Sequence, residues 1–364
     1  MIYLDNAATT RVSEIAAQAA LSVMRECFGN PSSLHGLGLK AEEMLDAARR
    51  QIAKRIGAEA QEITFTSGGS EGNNLAILGG ARARRRKGKH IITTAIEHAS
   101  VLECMRRLEE DGFEVTRLLP NADGIITAEQ VVEALREDTV LVSVMAVNNE
   151  IGSVLPIEQI ARAVHRKSPQ VLVHTDAVQA FCKIPLAVKK LDVDLLTMSG
   201  HKIHAPKGVG ALFVKKGVRI APHLLGGGQE KGLRSGTENV PGICAFGAAS
   251  EQMIDCGKLK AYLTEKLEAL SCVKLLAHTA APHILSVAVL GFPSEVAMRI
   301  LEEEEIYVSS GSACSRGHRS YVLEAIGVPS ELIDSAIRIS LSSDITKEEI
   351  DRVCDVISTR FGRK

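Results

Sequence analysis

Seven short runs of strand-forming residues recur between positions 63 and 214, and most are separated by stretches of helical periodicity. They fall at 63–66, 90–94, 114–118, 140–147, 171–175, 194–198 and 210–214. Strands that alternate with helices pair side by side, and the intervening helices cover the two faces. The pattern predicts an α/β fold, with a large domain built on a mostly parallel, helix-covered sheet. A stripe of Ala41, Met44, Leu45, Ala48, Ile52 and Ile56 predicts an amphipathic helix over 40–56, ended by Gly57. After about residue 256 the rhythm changes: a helix over 258–270, strands at 273–276 and 284–289, a helix over 294–303, and a last helix from Lys347. This predicts a smaller α+β domain over 257–364, joined by residues 1–15, with residues 16–256 forming the large domain.

A chain of 364 residues has room for both units. Its 45% hydrophobic and 24% charged residues are those of an ordinary globular protein, and a net charge of -1 gives no electrostatic reason to expect nucleic acid or a membrane as partner. The basic run 82–89 reads as a solvated helix end. Met1 to Asn6 lacks the pattern of a secretory signal, so the default expectation is cytoplasmic. Eight cysteines stand at long, irregular gaps with no C-x-x-C pair, which argues against both a disulfide framework and a metal site.

Chemistry is concentrated where strands end. The run 194–198 stops at Ser199-Gly200-His201-Lys202, and a lysine just past a buried strand sits where open α/β sheets present their ligand crevice. Partly desolvated, such an amine attacks aldehydes. Ser67-Gly68-Gly69-Ser70 follows a strand and opens a helix from Glu71; it is either a phosphate cup or a tight strand–helix turn. Asp176 ends another strand 26 residues before Lys202, either as a helix cap or as a carboxylate that keeps a pyridine nitrogen protonated. Gln179 lies one turn on. Glu97-His98 and Asn148-Asn149-Glu150 follow two further strands, where capping is an equal alternative to ring contacts. A phosphate cup, a pyridinium carboxylate and a Schiff-base lysine are together what pyridoxal 5′-phosphate requires.

On these segments the chain resembles the cysteine desulfurases of the class V aminotransferase group, of pyridoxal-phosphate fold type I. The likeness also takes in 3–10, 29–33, Arg234 to Asn239 and Ser309 to Cys314, and so nearly the whole chain. The resemblance implies that Lys202 forms the Schiff base, Asp176 pairs the ring nitrogen, and Asn149 and Gln179 meet the ring oxygen. It implies that His98 stacks on the ring and assists proton transfer, and that Gly69, Ser70, Ser199 and His201 hold the phosphate. Thr237 would reach the phosphate of a neighbouring subunit, making a homodimer, and Arg338 would grip the carboxylate of L-cysteine, with Asn149 beside it. Cys314, among small residues and followed by Arg316, His318 and Arg319, would take the sulfur as a persulfide and pass it to an acceptor protein (an iron–sulfur scaffold or a thiolation enzyme) or a small thiol. A selenocysteine lyase, another class V lyase or transaminase, and a non-catalytic sulfur-relay subunit remain alternatives. Departures from the family pattern fall at His204-Ala205, at Ser315 to Ser320, in 250–276 and at Ser342-Ser343-Asp344.

Overall fold

The computed structural model describes residues 1–277, 279–310 and 319–362. Its largest sheet has seven strands in the order Ile63–Thr66, Gly210–Val214, Leu195–Ser199, Leu172–Asp176, Thr139–Ser143, His90–Thr94 and Glu114–Leu118. The last five run parallel, while Gly210–Val214 is antiparallel to both of its neighbours. Six of the strands are buried along their whole length, and the edge strand Glu114–Leu118 meets solvent. Continuous apolar runs such as Val140-Leu141-Val142 are what a sheet covered on both faces demands.

The expected strands at 171–175 and 194–198 each lie one residue further on, which makes Asp176 and Ser199 the final strand residues. The run 140–147 leaves the ladder at Ser143. Beyond it Ala146 N–H still donates to Asp176 O at 2.9 Å, and Val147 bridges Val154, so the chain turns across the strand ends towards Asn149. The helix expected over 40–56 begins at Gly36. His35 caps it, Nδ1 accepting from Gly38 N–H at 3.3 Å, and two poor helix formers in the first turn hid that start. Gly57 ends it at φ +67, a conformation that costs glycine nothing. The helix expected from Glu71 begins at Gly69.

A second sheet of four antiparallel strands, in the order Ser309–Ser310, Ala336–Ser340, Ile284–Val289 and Val273–Leu275, forms the smaller C-terminal layer. The extreme N-terminus crosses to it. Ile2–Tyr3 pairs in parallel with Ile306–Tyr307, and Asp5 bridges Ser340. Residues 4–10 then run back over the large sheet, where Thr10 N–H donates to His201 O at 2.9 Å. No helix among the described residues is long and apolar enough to cross a membrane.

Candidate active site

The carboxyl ends of the parallel strands open onto a cavity of about 350 Å³. Gly69, Ser70, His98, Asn149, Asp176, Gln179, Ser199, His201, Lys202 and Arg338 all line it. One other expected residue stands apart. Thr237 is exposed and is not among the lining residues, although Arg234 ties its segment to Glu71 in the first turn of the Gly69–Arg84 helix, Nε to Oε1 2.9 Å. Cys314, with Arg316 and His318, lies outside the described residues.

Asp176 and Lys202 reach the cavity from adjacent strands, because Leu172–Asp176 pairs directly with Leu195–Ser199. The crossover between them holds one helix of only four residues, Val188–Leu191. Asp176 is buried and doubly anchored: Oδ1 accepts from Val178 N–H at 2.9 Å and Oδ2 from Asn73 Nδ2 at 2.7 Å. Lys202 Nζ donates to the carbonyl oxygens of Ala7 and Ala8 at 2.7 and 2.6 Å, so the N-terminal segment aims the amine. Gln179 Nε2 donates to the same Ala7 oxygen at 2.9 Å.

Arg338 is buried in its Ile-Arg-Ile strand, facing inwards. Its Nη2 pairs with Asp5 Oδ1 at 2.8 Å and its Nη1 donates to Asn149 O at 2.9 Å, while Nε is buried without a partner among the described residues. A guanidinium held on one side by a carboxylate and a carbonyl keeps its remaining N–H groups for an incoming anion.

His98 combines two roles that its sequence leaves as alternatives. It caps the helix Ala99–Glu110, Nδ1 accepting from Ser100 N–H at 3.1 Å, and it lines the cavity. His201 Nδ1 meets Thr9 Oγ1 at 3.2 Å. Burial, reinforced by Lys202 and other nearby cations, pushes its pKa down to about 4, so the ring is neutral near pH 7.

The residues fit pyridoxal phosphate. Ser199 Oγ and Asn149 Oδ1 are buried with no partner among the described residues, an arrangement that is costly unless a ligand completes it. At Gly69 an added Cβ would stand 2.7 Å from Val178 Cγ2, so only glycine brings the helix start this close to the cavity floor. Beside Gly69 are free helix N–H groups and the Ser70 hydroxyl, a donor set suited to a phosphate. The cofactor would be held by these groups at its phosphate and by Asp176 at its ring nitrogen.

Further buried groups surround the site: Glu97 and Glu150, beside the expected His98 and Asn149, and Lys183, which the sequence does not mark. Glu97 lies wholly buried behind the site, with Thr94 Oγ1 and Met145 N–H both donating to Oε1 at 2.9 Å; burial raises its pKa to about 8, so it is protonated near pH 7. Glu150, bonded to Ser320 Oγ, is raised to about 7 by burial. Lys183 is pushed down to about 7, chiefly by burial and then by Lys202. Gln179 Oε1 accepts from Lys183 Nζ and contacts His283 Nε2, both at 3.3 Å, so the amide must turn its N–H side towards Ala7 and the cavity. Asn73 and Ser100 line the cavity as well. One signal pointed to Asn73: it follows Gly69 by four residues and so shares its helix face.

Known proteins of the same design are numerous. The family model for Aminotransferase class-V matches residues 2–353. A cysteine desulfurase of Methanosarcina thermophila is 43% identical over 98% of this chain and 91% of its own. Among solved structures, a NifS-like protein superposes with a TM-score of 0.93 at 37% identity, covering 99% of each chain. The protein SspA, solved in complex with cysteine, gives 0.86 at 37% identity over 94% of this chain and 99% of its own. With a cavity of this composition and full-length likeness at these levels, the chain belongs to the cysteine desulfurase branch of the class-V aminotransferase family.

Proposed function

We propose that the protein converts L-cysteine to L-alanine with the help of pyridoxal phosphate and retains the sulfur as a persulfide on Cys314. The observation that carries this reading is the meeting of Lys202, Asp176 and Arg338 in one cavity, from two strands and the turn that follows a third. Bound there, the cofactor supplies an aldehyde that captures amines and a cationic ring that accepts electrons from carbon.

The chain's own residues do the rest. Arg338, oriented by Asp5, takes the substrate carboxylate and fixes which bond at Cα faces Lys202. The Lys202 amine removes the Cα proton, with His98 beside it to move protons, and the Asp176 carboxylate keeps the ring nitrogen protonated. Gln179, its oxygen occupied by Lys183, offers N–H to the ring oxygen together with Asn149. Gly69, Ser70, Ser199 and His201 hold the phosphate. Cys314 Sγ, as the thiolate, bonds to the substrate sulfur as the carbon–sulfur bond breaks; the electron pair stays on the carbon, which is protonated as alanine leaves.

In the same reading residues 16–256 form the cofactor-binding unit, and 257–364 with 1–15 form the unit that carries the cysteine loop. The pairing of Ile2–Tyr3 with Ile306–Tyr307 supports the second assignment. A homodimer, with Thr237 reaching the partner's phosphate site, is supported by apolar side chains left in solvent: Ile15, Met24, Phe28, Leu34, Leu37 and Leu39. A cytoplasmic setting suits seven buried, unpaired cysteines among the described residues. The persulfide would pass to an acceptor protein or a small thiol, for iron–sulfur clusters or for thiolation.

The test is to supply L-cysteine and a reductant and to measure alanine and sulfide. Cys314→Ala should keep the bound cofactor's absorbance and lose turnover; normal sulfide release by this variant would remove Cys314 from the reaction. Cysteine sulfinate and selenocysteine, run in parallel, separate this activity from those of other enzymes on the same scaffold.

A further inference from the structure

On the cavity wall, the side chains of Asn73 and Ser100 join the Asp176 carboxylate to the His98 imidazole. Asn73 Nδ2 donates one hydrogen to Asp176 Oδ2 at 2.7 Å and the other to Ser100 Oγ at 2.8 Å. Ser100 Oγ stands 2.8 Å from His98 Nδ1. The residues come from two helices and a strand end, so the line is a product of the fold.

Counting hydrogens gives the line a direction. Turned over, the Asn73 amide would set its oxygen against a carboxylate oxygen, so the ionised Asp176 fixes its NH2 towards Asp176 and Ser100. The Ser100 hydroxyl, already an acceptor there, has one hydrogen left, and it points at His98 Nδ1. That nitrogen also accepts from Ser100 N–H at 3.1 Å. With two donors converging on Nδ1, the neutral imidazole carries its proton on Nε2.

We propose that Asn73 and Ser100 are positioning residues that lock His98 in the Nε2–H tautomer and make that tautomer depend on the charge of Asp176. The carboxylate that serves the ring nitrogen thereby also sets which nitrogen of His98 donates and which accepts. The turnover consequences rest on the desulfurase reading; the state of the ring nitrogens does not.

The experiment is ¹⁵N NMR of the histidine rings in the holoenzyme, with His98→Gln used to assign the His98 signals. The wild type should show Nδ1 as an unprotonated acceptor and the proton on Nε2. Ser100→Ala should move the Nδ1 resonance towards that of a free acceptor, Asn73→Ala should move it the same way by less, and Ser100→Thr should restore it. In turnover, each alanine variant should lose about tenfold in kcat with KM for L-cysteine within about twofold, and the double variant should be no worse than the weaker single one. A proton on Nδ1 in the wild type, or an Nδ1 signal unmoved in both alanine variants, would overturn the proposal. So would strictly additive losses in kcat. If the protein proves not to desulfurate cysteine, the ring signals still decide the tautomer.

Discussion

The strands Leu172–Asp176 and Leu195–Ser199 are differently furnished at their two ends. At the carboxyl end, ionisable groups are buried with few partners: Glu97 and Glu150 are raised, and Lys183 is lowered, each mainly by burial. At the amino end the charges are paired. His165 sits between Asp192 Oδ2 and Asp194 Oδ2, at 3.0 Å from each, and Lys215 closes the group at 3.2 Å from Asp192 Oδ1. One end holds groups that change protonation near neutral pH because water is excluded; the other holds ions neutralised by neighbours. Desolvated, under-satisfied groups cost stability and mark where chemistry is done. The paired end repays some of that cost.

If the carboxyl end is the reactive one, its lysine should matter most. Lys202→Ala should lower turnover of L-cysteine by about 10³-fold or more, and the purified variant should lack the absorbance of covalently held cofactor. An unchanged spectrum would break the assignment, and with it the contrast between the ends. Arg338→Lys tests the opposite wall. An ammonium cannot serve Asp5, the Asn149 carbonyl and a substrate carboxylate together, so KM should rise about 100-fold with kcat changed far less. Equal losses in kcat and kcat/KM, with KM unchanged, would mean that Arg338 acts on the transition state alone.

The sequence disclosed most of this architecture for a physical reason. Strands buried on both faces are unbroken apolar runs, and their ends are marked by the polar residue that enters the crevice; Asp176 and Lys202 are visible for that reason. Arg338 is legible because a charge between two isoleucines in a strand has nowhere to go but inwards. Lys183 and His283 are another matter. A lone lysine reads as a surface charge, and its burial beside Gln179, whose oxygen it shares with His283 about a hundred residues later, is set by the fold. Asn73 shows only its helix face, shared with Gly69, and Ser100 shows nothing, since their partnership exists only where two helices converge on the end of a third element. His35 and the helix start at Gly36 were missed because capping overrides the low helix propensity of glycine. Local pattern reveals elements and their ends; networks that join elements are written in the topology.

Lys183→Met sharpens the comparison through stability. Burial holds the folded pKa at about 7 against an ordinary 10.5. Below pH 7 both states bind the proton, and the folded state bears the full penalty. Between pH 7 and about 10.5 the unfolded chain binds a proton that the folded chain does not, so this group makes stability rise with pH. Replacing it should raise stability at pH 7 by about 2 kcal/mol after loss of its bond to Gln179, and should flatten the rise above pH 7. Denaturant unfolding at pH 7 and pH 10 measures both effects; a variant with lower stability and an unaltered slope would show that Lys183 is charged and well served.

His165 should behave in the opposite sense and more weakly. Its pKa is raised above 6.5, first by the hydrogen bond to Asp194, against some burial, then by that to Asp192. A raised folded pKa means that the stabilisation is fully present below about pH 6.5 and disappears as pH climbs through the folded value. The cluster is partly open to solvent, so screening limits it: His165→Gln should cost about 1 kcal/mol or less at pH 6. By pH 9 the difference from the wild type should vanish, and added salt should shrink it at pH 6. If the loss instead persisted unchanged at pH 9, His165 would hold the amino end by packing, and the contrast between paired ions and desolvated groups would fail at that end.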